Sequence, residues 1–67
     1  MKEFMYEVSL RDKATGDNFG IFVWAENTDA ATNKLVGILI GPNCEYIWRG
    51  TTPVYQSNNQ LEREKKA

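Results

Sequence analysis

The chain has 67 residues, 42% of them hydrophobic and 25% charged, with eight Lys and Arg against nine Asp and Glu for a net charge of −1. This is the composition of one globular domain rather than a disordered segment, and it lacks the cationic excess on which non-specific nucleic-acid affinity rests. One cysteine and no histidine exclude an internal disulfide and leave no residues at the spacing of a metal site, so no cofactor is expected.

A chain this short buries only about 60% of the surface it exposes when unfolded. Small domains offset that deficit with disulfides, a metal or oligomerisation, and here only oligomerisation is open. The opening residues Met1-Lys2-Glu3-Phe4 carry no signal-peptide run. The longest apolar stretch, Leu35 to Ile40, is far short of a membrane span. The expectation is a cytoplasmic protein with no membrane partner.

From Phe4 to Arg11 the pattern alternates, with Phe4, Tyr6, Val8 and Leu10 on one side and Met5, Glu7, Ser9 and Arg11 on the other. Period-two alternation with aromatic and β-branched residues predicts a half-buried strand. Asp12 to Asn18 then reads as a hairpin loop in which Gly16 takes the left-handed conformation. The following run, Phe19 to Ala25, is apolar on both parities, the mark of a strand covered on both faces.

Asn27 or Thr28 caps a helix, with Asp29 placed to offset its dipole. Ala31, Leu35, Ile38 and Leu39 form its apolar stripe, Gly37 weakens it, and Gly41-Pro42 ends it. Cys44 to Gly50 reads as a third strand, with Cys44, Tyr46 and Trp48 on one side and Glu45, Ile47 and Arg49 on the other. Thr51-Thr52-Pro53 breaks it, and Val54 to Gln56 is at most a brief fourth edge strand. Ser57 to Gln60 fits a capping box before Leu61 to Lys66.

The expected fold is therefore α+β: a two-layer sandwich in ββαβ order. Its mainly antiparallel sheet has three strands, or four with 54–56, and one helix on one face. Residues 1–56 form the single domain, and 57–67 a frayed helix or a disordered charged tail. Tyr6 to Gly16, with Val23 to Asn27 and Ala30-Ala31 after it, resembles small uncharacterised strand-strand-helix-strand accessory proteins of phages and mobile elements. That resemblance spans about residues 6–49 and implies an accessory protein with no assigned chemistry. It carries over no functional residues.

One helix covers one sheet face and leaves the other to solvent or to a partner. A four-residue loop, Lys13 to Gly16, pairs Leu10 with Phe19 and Val8 with Ile21, and turns Phe22 and Trp24 away from the helix beside Met5. A three-residue loop turns Ile21 and Val23 away instead, because a one-residue slip exchanges the faces. The first register is preferred, since it groups Phe19, Ile21 and Val23 with the alternating side of strand one. Leaving large apolar side chains exposed costs about 1.5–3 kcal/mol each, and contiguous apolar patches mark interfaces. The face is covered either by a partner or by residues 54–61 folding back across it.

No residue is assigned to catalysis. Cys44 begins an apolar strand with no histidine to activate it. Glu7, Glu26 and Glu45 lack a surrounding pocket, and Gly16 and Gly20 make no phosphate loop. The expected function is that of a non-enzymatic interaction module, homodimerising or docking on another protein through Met5, Phe22, Trp24 and Ile47. The alternative is a single-stranded nucleic-acid binder that stacks bases on Phe22, Trp24 and Trp48.

Overall fold

The computed structural model describes residues 2–64. Strand β1, Lys2–Asp12, is the longest element and pairs antiparallel with β2, Asn18–Ala25. Leu10 faces Phe19 and Val8 faces Ile21, the register of the four-residue loop. The loop is closed by the Asp12 N–H donating to the Asp17 carbonyl at 2.8 Å and the Gly16 N–H donating to the Asp12 carbonyl at 2.8 Å. Asp12 Oδ1 also accepts from the Ala14 N–H, an Asx turn of the kind that short acidic residues form with their own backbone. Gly16 sits at φ +79°, a region costly for any residue with a Cβ.

Helix α1 spans only Thr28–Asn33. Asn27 caps it, its Oδ1 accepting from the Ala30 N–H at 2.7 Å. The expected helix ran to Ile40, but the chain unwinds after Lys34. The Leu35 N–H turns to the Thr32 carbonyl, and the Leu39 and Ile40 N–H groups share the Leu35 carbonyl. The cause is local: Val36, Gly37 and Ile38 are poor helix formers, and Gly37 adopts φ +82°. Leu35, Leu39 and Ile40 still reach the core, whereas Ile38, assigned to the buried stripe, is 72% exposed.

Strand β3 is Tyr46–Pro53, later than the expected Cys44 to Gly50, and it runs through Thr51-Thr52-Pro53 instead of stopping there. A bulge makes this possible. Ser9 faces Gly50 and Leu10 faces Trp48, so Arg49 has no partner opposite it and the strand re-registers beyond it. Pro53 is accommodated because β3 lies at the sheet edge, where a missing N–H costs no ladder bond. Hydroxyls tie this strand to α1: Trp48 Nε1 donates to Thr51 Oγ1 at 3.0 Å, and Thr51 and Thr32 Oγ1 lie 2.6 Å apart.

Residues 57–64 form neither a helix nor a loose tail. β4 (Tyr55–Gln56) and β5 (Asn59–Gln60) make a small hairpin, and β6 (Glu62–Glu64) pairs with Lys2 to Phe4 of β1. The helix expected over Leu61 to Lys66 is thus strand as far as Glu64, and its remainder lies outside the described residues. The sheet order is β2-β1-β3, with β6 also on β1. β3 and β6 lie in one lane along β1, and the β4–β5 hairpin leaves that lane at Met5. There Met5 accepts from the Val54 N–H and donates to the Leu61 carbonyl.

The result is a small α+β protein with an antiparallel sheet of three to four strands and one short helix. Its element order is ββα followed by four strands, longer than the expected ββαβ. The core is Tyr6, Val8, Leu10, Ala25 and Ala31, flanked by Phe4, Ile21, Val23, Leu35 and Tyr46 among others.

Ser57 is the one described non-glycine residue at positive φ, +57°, at the tip of the β4–β5 hairpin. Ser57→Gly is expected to relieve about 1 kcal/mol of left-handed strain, offset in part by the added freedom of the unfolded chain. Thermal unfolding should show a Tm raised by a few degrees.

Candidate interaction surface

Strand alternation divides the sheet into two faces. Tyr6, Val8 and Leu10 pack with Ala31 in the core, so Met5, Glu7, Ser9 and Arg11 lie on the opposite, open face. Across the β1–β2 ladder Met5 meets Trp24, Glu7 meets Phe22 and Ser9 meets Gly20. On the other side Arg11 meets Ile47. All four predicted interface residues therefore fall on the open face, but not in one cluster. Met5, Phe22 and Trp24 adjoin one another. Ile47 stands opposite Arg11, about 13 Å along β1 from the Glu7–Phe22 pair at ~3.3 Å per residue.

Exposure separates them further. Phe22 is 60% exposed and Ile47 47%, while Met5 and Trp24 are half-buried. Trp24 owes its cover to charged residues that gave no signal in the sequence. The Arg63 guanidinium lies 4.6 Å from the Trp24 ring centroid, a cation–π contact worth about 0.5–1 kcal/mol at an exposed site. Lys34 Nζ donates to the Trp24 carbonyl. Both cations converge on Glu3, Arg63 at 3.2 Å and Lys34 at 3.6 Å. Glu3 is only 6% exposed. A carboxylate buried in this way needs such partners.

Of the segment 54–61, Val54 and Leu61 bond to the Met5 backbone in the β3–β6 lane and Gln60 Nε2 donates to the Met5 carbonyl at 3.4 Å, while beyond the segment Arg63 lies over the Trp24 ring. Arg49, the bulge residue, joins Glu7, Ser9, Asn18 and Gly20 around a shallow depression of about 360 Å³. The floor there is glycine: a Cβ on Gly20 would lie 2.3 Å from Glu7 Oε2, whose flexible side chain rests over it.

Trp48 belongs to the other side of the sheet. It lines an open cleft of about 460 Å³ with Thr28, Asp29, Thr32 and Thr51. The three-ring stacking platform of Phe22, Trp24 and Trp48 is therefore not assembled. Among the described residues no three His, Cys, Asp or Glu side chains come together as a metal site, and Cys44 is a half-buried free thiol. No helix among them is long and apolar enough to cross a membrane.

No protein-family model, curated protein or solved structure matches the chain. The resemblance to phage and mobile-element accessory proteins accordingly rests on the residue pattern alone, and the reading of function rests on the surface just described.

Proposed function

We propose that the chain is a non-enzymatic protein-interaction module that docks through the open sheet face, with Met5, Phe22 and Trp24 as the contact centre. The observation that carries this reading is Phe22. It is a large aromatic side chain in mid-strand, 60% exposed, on the sheet face opposite the one where Tyr6, Val8 and Leu10 pack with Ala31 of α1. A domain of this size has little stability to spare, and aromatic rings beside a methionine are characteristic of interface cores.

Arg63 and Glu7 supply the polar rim, and Arg63 holds the Trp24 ring in place before docking, which lowers the ordering cost of association. Ile47 lies outside the contact centre and contributes at its margin.

Sedimentation equilibrium at high micromolar concentration should give a mass above that of one chain. Phe22→Ser should return it to the monomer, with thermal stability unchanged only at dilutions where the wild-type chain is also monomeric, since Phe22 is largely exposed before docking. Ile47→Ser should leave the association nearly intact. A wild-type chain that stays monomeric throughout, or a Phe22→Ser variant that associates like wild type, would contradict the reading.

A further inference from the structure

We infer that a second copy of the chain joins the first through the outer edges of β2, as an antiparallel strand pair about a two-fold axis at Ile21. The inference goes beyond the reading of the open face: the pair sets the open faces of the two copies side by side, with Phe22 of the contact centre at the seam.

The argument starts from Met5. Its N–H donates to the Leu61 carbonyl at 2.8 Å and its carbonyl accepts from the Val54 N–H at 3.0 Å, so both groups point towards the β3–β6 lane. In an antiparallel ladder the residue opposite, Trp24, then directs its own N–H and carbonyl away from β1. Lys34 reaches the Trp24 carbonyl from that outer side. The β1–β2 register runs unbroken from Phe4–Ala25 to Arg11–Asn18, so the same alternation turns the N–H and carbonyl groups of Gly20 and Phe22 outward. β2 has β1 as its one strand neighbour among the described residues.

This edge is not blunted in the usual ways. Sheet edges are protected by charge, proline or a bulge. β3 has its bulge at Arg49 and ends in Pro53, and β6 reads Glu-Arg-Glu. β2 reads Asn-Phe-Gly-Ile-Phe-Val-Trp-Ala, with no charge, no proline and no bulge. Lys34 guards its Trp24 end.

The edge is also self-complementary. With Ile21 facing Ile21, Gly20 of each copy pairs with Phe22 of the other, and the central bonds leave the Trp24 carbonyl to Lys34. Each Phe22 ring then lies beside a glycine, a cross-strand arrangement in which the aromatic covers bare backbone. The Glu7 side chain over Gly20 swings aside to admit it. At each end of the seam Asp17, next to Asn18, approaches the Trp24 end of the other copy, where Lys34 supplies the opposite charge.

Backbone amide exchange, followed residue by residue at high and low protein concentration alongside sedimentation equilibrium, tests this. At high concentration the Gly20 and Phe22 amides should gain at least about tenfold protection and lose it on dilution. The inward Ile21 and Val23 amides should stay protected at both. Association that leaves Gly20 and Phe22 unprotected would overturn the edge pairing while sparing the open-face reading, because the two copies would then meet face to face. A chain that remains monomeric would overturn both.

Discussion

Leu10→Ala is expected to leave much of the chain unfolded at room temperature. Leu10 and Val8 are the largest fully buried side chains, each 0% exposed, and Leu10 sits between Phe19 on one neighbour and Trp48 on the other. Truncating a buried leucine costs about 2–5 kcal/mol, the value depending on how far the surroundings collapse into the space. A single core in a domain this small supplies only about 3–5 kcal/mol, so the two quantities nearly cancel. Urea unfolding followed by tryptophan fluorescence should show a sloping transition with no folded baseline. A loss below about 1 kcal/mol would mean that Phe19 and Tyr46, whose rings pack edge-on at 5.2 Å, close over the vacancy more completely than such sites do.

Glu3→Lys should be nearly as damaging, for an electrostatic reason. The substitution sets a third cation against Arg63 and Lys34 in a position only 6% exposed. Breaking a buried ion pair by removing one partner costs about 3–5 kcal/mol. Arg63 and Lys34 are half-exposed and recover some hydration, which lowers the figure for simple neutralisation. Glu3→Gln keeps the shape and loses the charge, so a loss of about 1 kcal/mol is expected for it. The comparison is read by urea unfolding in low and high salt. Added salt should restore part of the Lys variant's stability by screening its repulsion and leave the Gln variant unmoved. Equal losses in the two variants would assign Glu3 a packing role and remove charge from the account.

The hairpin was legible because two independent signals agreed. The parity of Phe4, Tyr6, Val8 and Leu10 defined one face of β1, and matching Phe19, Ile21 and Val23 to it selected the register that the ladder shows. The helix was legible only at its start, where Asn27 caps it. Its end depended on Val36, Gly37 and Ile38, whose apolar spacing imitates a helix while their backbone preferences oppose one.

The third strand was legible except for its bounds, the fourth only as an edge strand over 54–56, and β5 and β6 not at all, for different reasons. Pro53 is a strand breaker by rule and is tolerated because the bulge at Arg49 lets β3 continue along an open edge. β4, β5 and β6 have two or three residues each, too few for any period to show, and β6 gains its pairing from β1. The open face was foreseen as a set of four residues, yet its cover was not. Glu3 lies 60 positions from Arg63 in the chain, and no local pattern announces that two such residues meet beside a tryptophan.

The lane that β3 and β6 occupy jointly along β1 bears on the order in which the molecule assembles. The β1–β2 contact closes across a loop of a few residues and needs little loss of chain entropy. The Glu3–Arg63 contact closes across almost the whole described chain. Closing such distant pairings costs more chain entropy, so the first residues of β1 are expected to acquire β6 after the hairpin has formed. Glu3 waits as a solvated carboxylate until Arg63 arrives. The Trp24 end of the open face is therefore expected to mature last, since the same late strand brings the guanidinium that lies over Trp24.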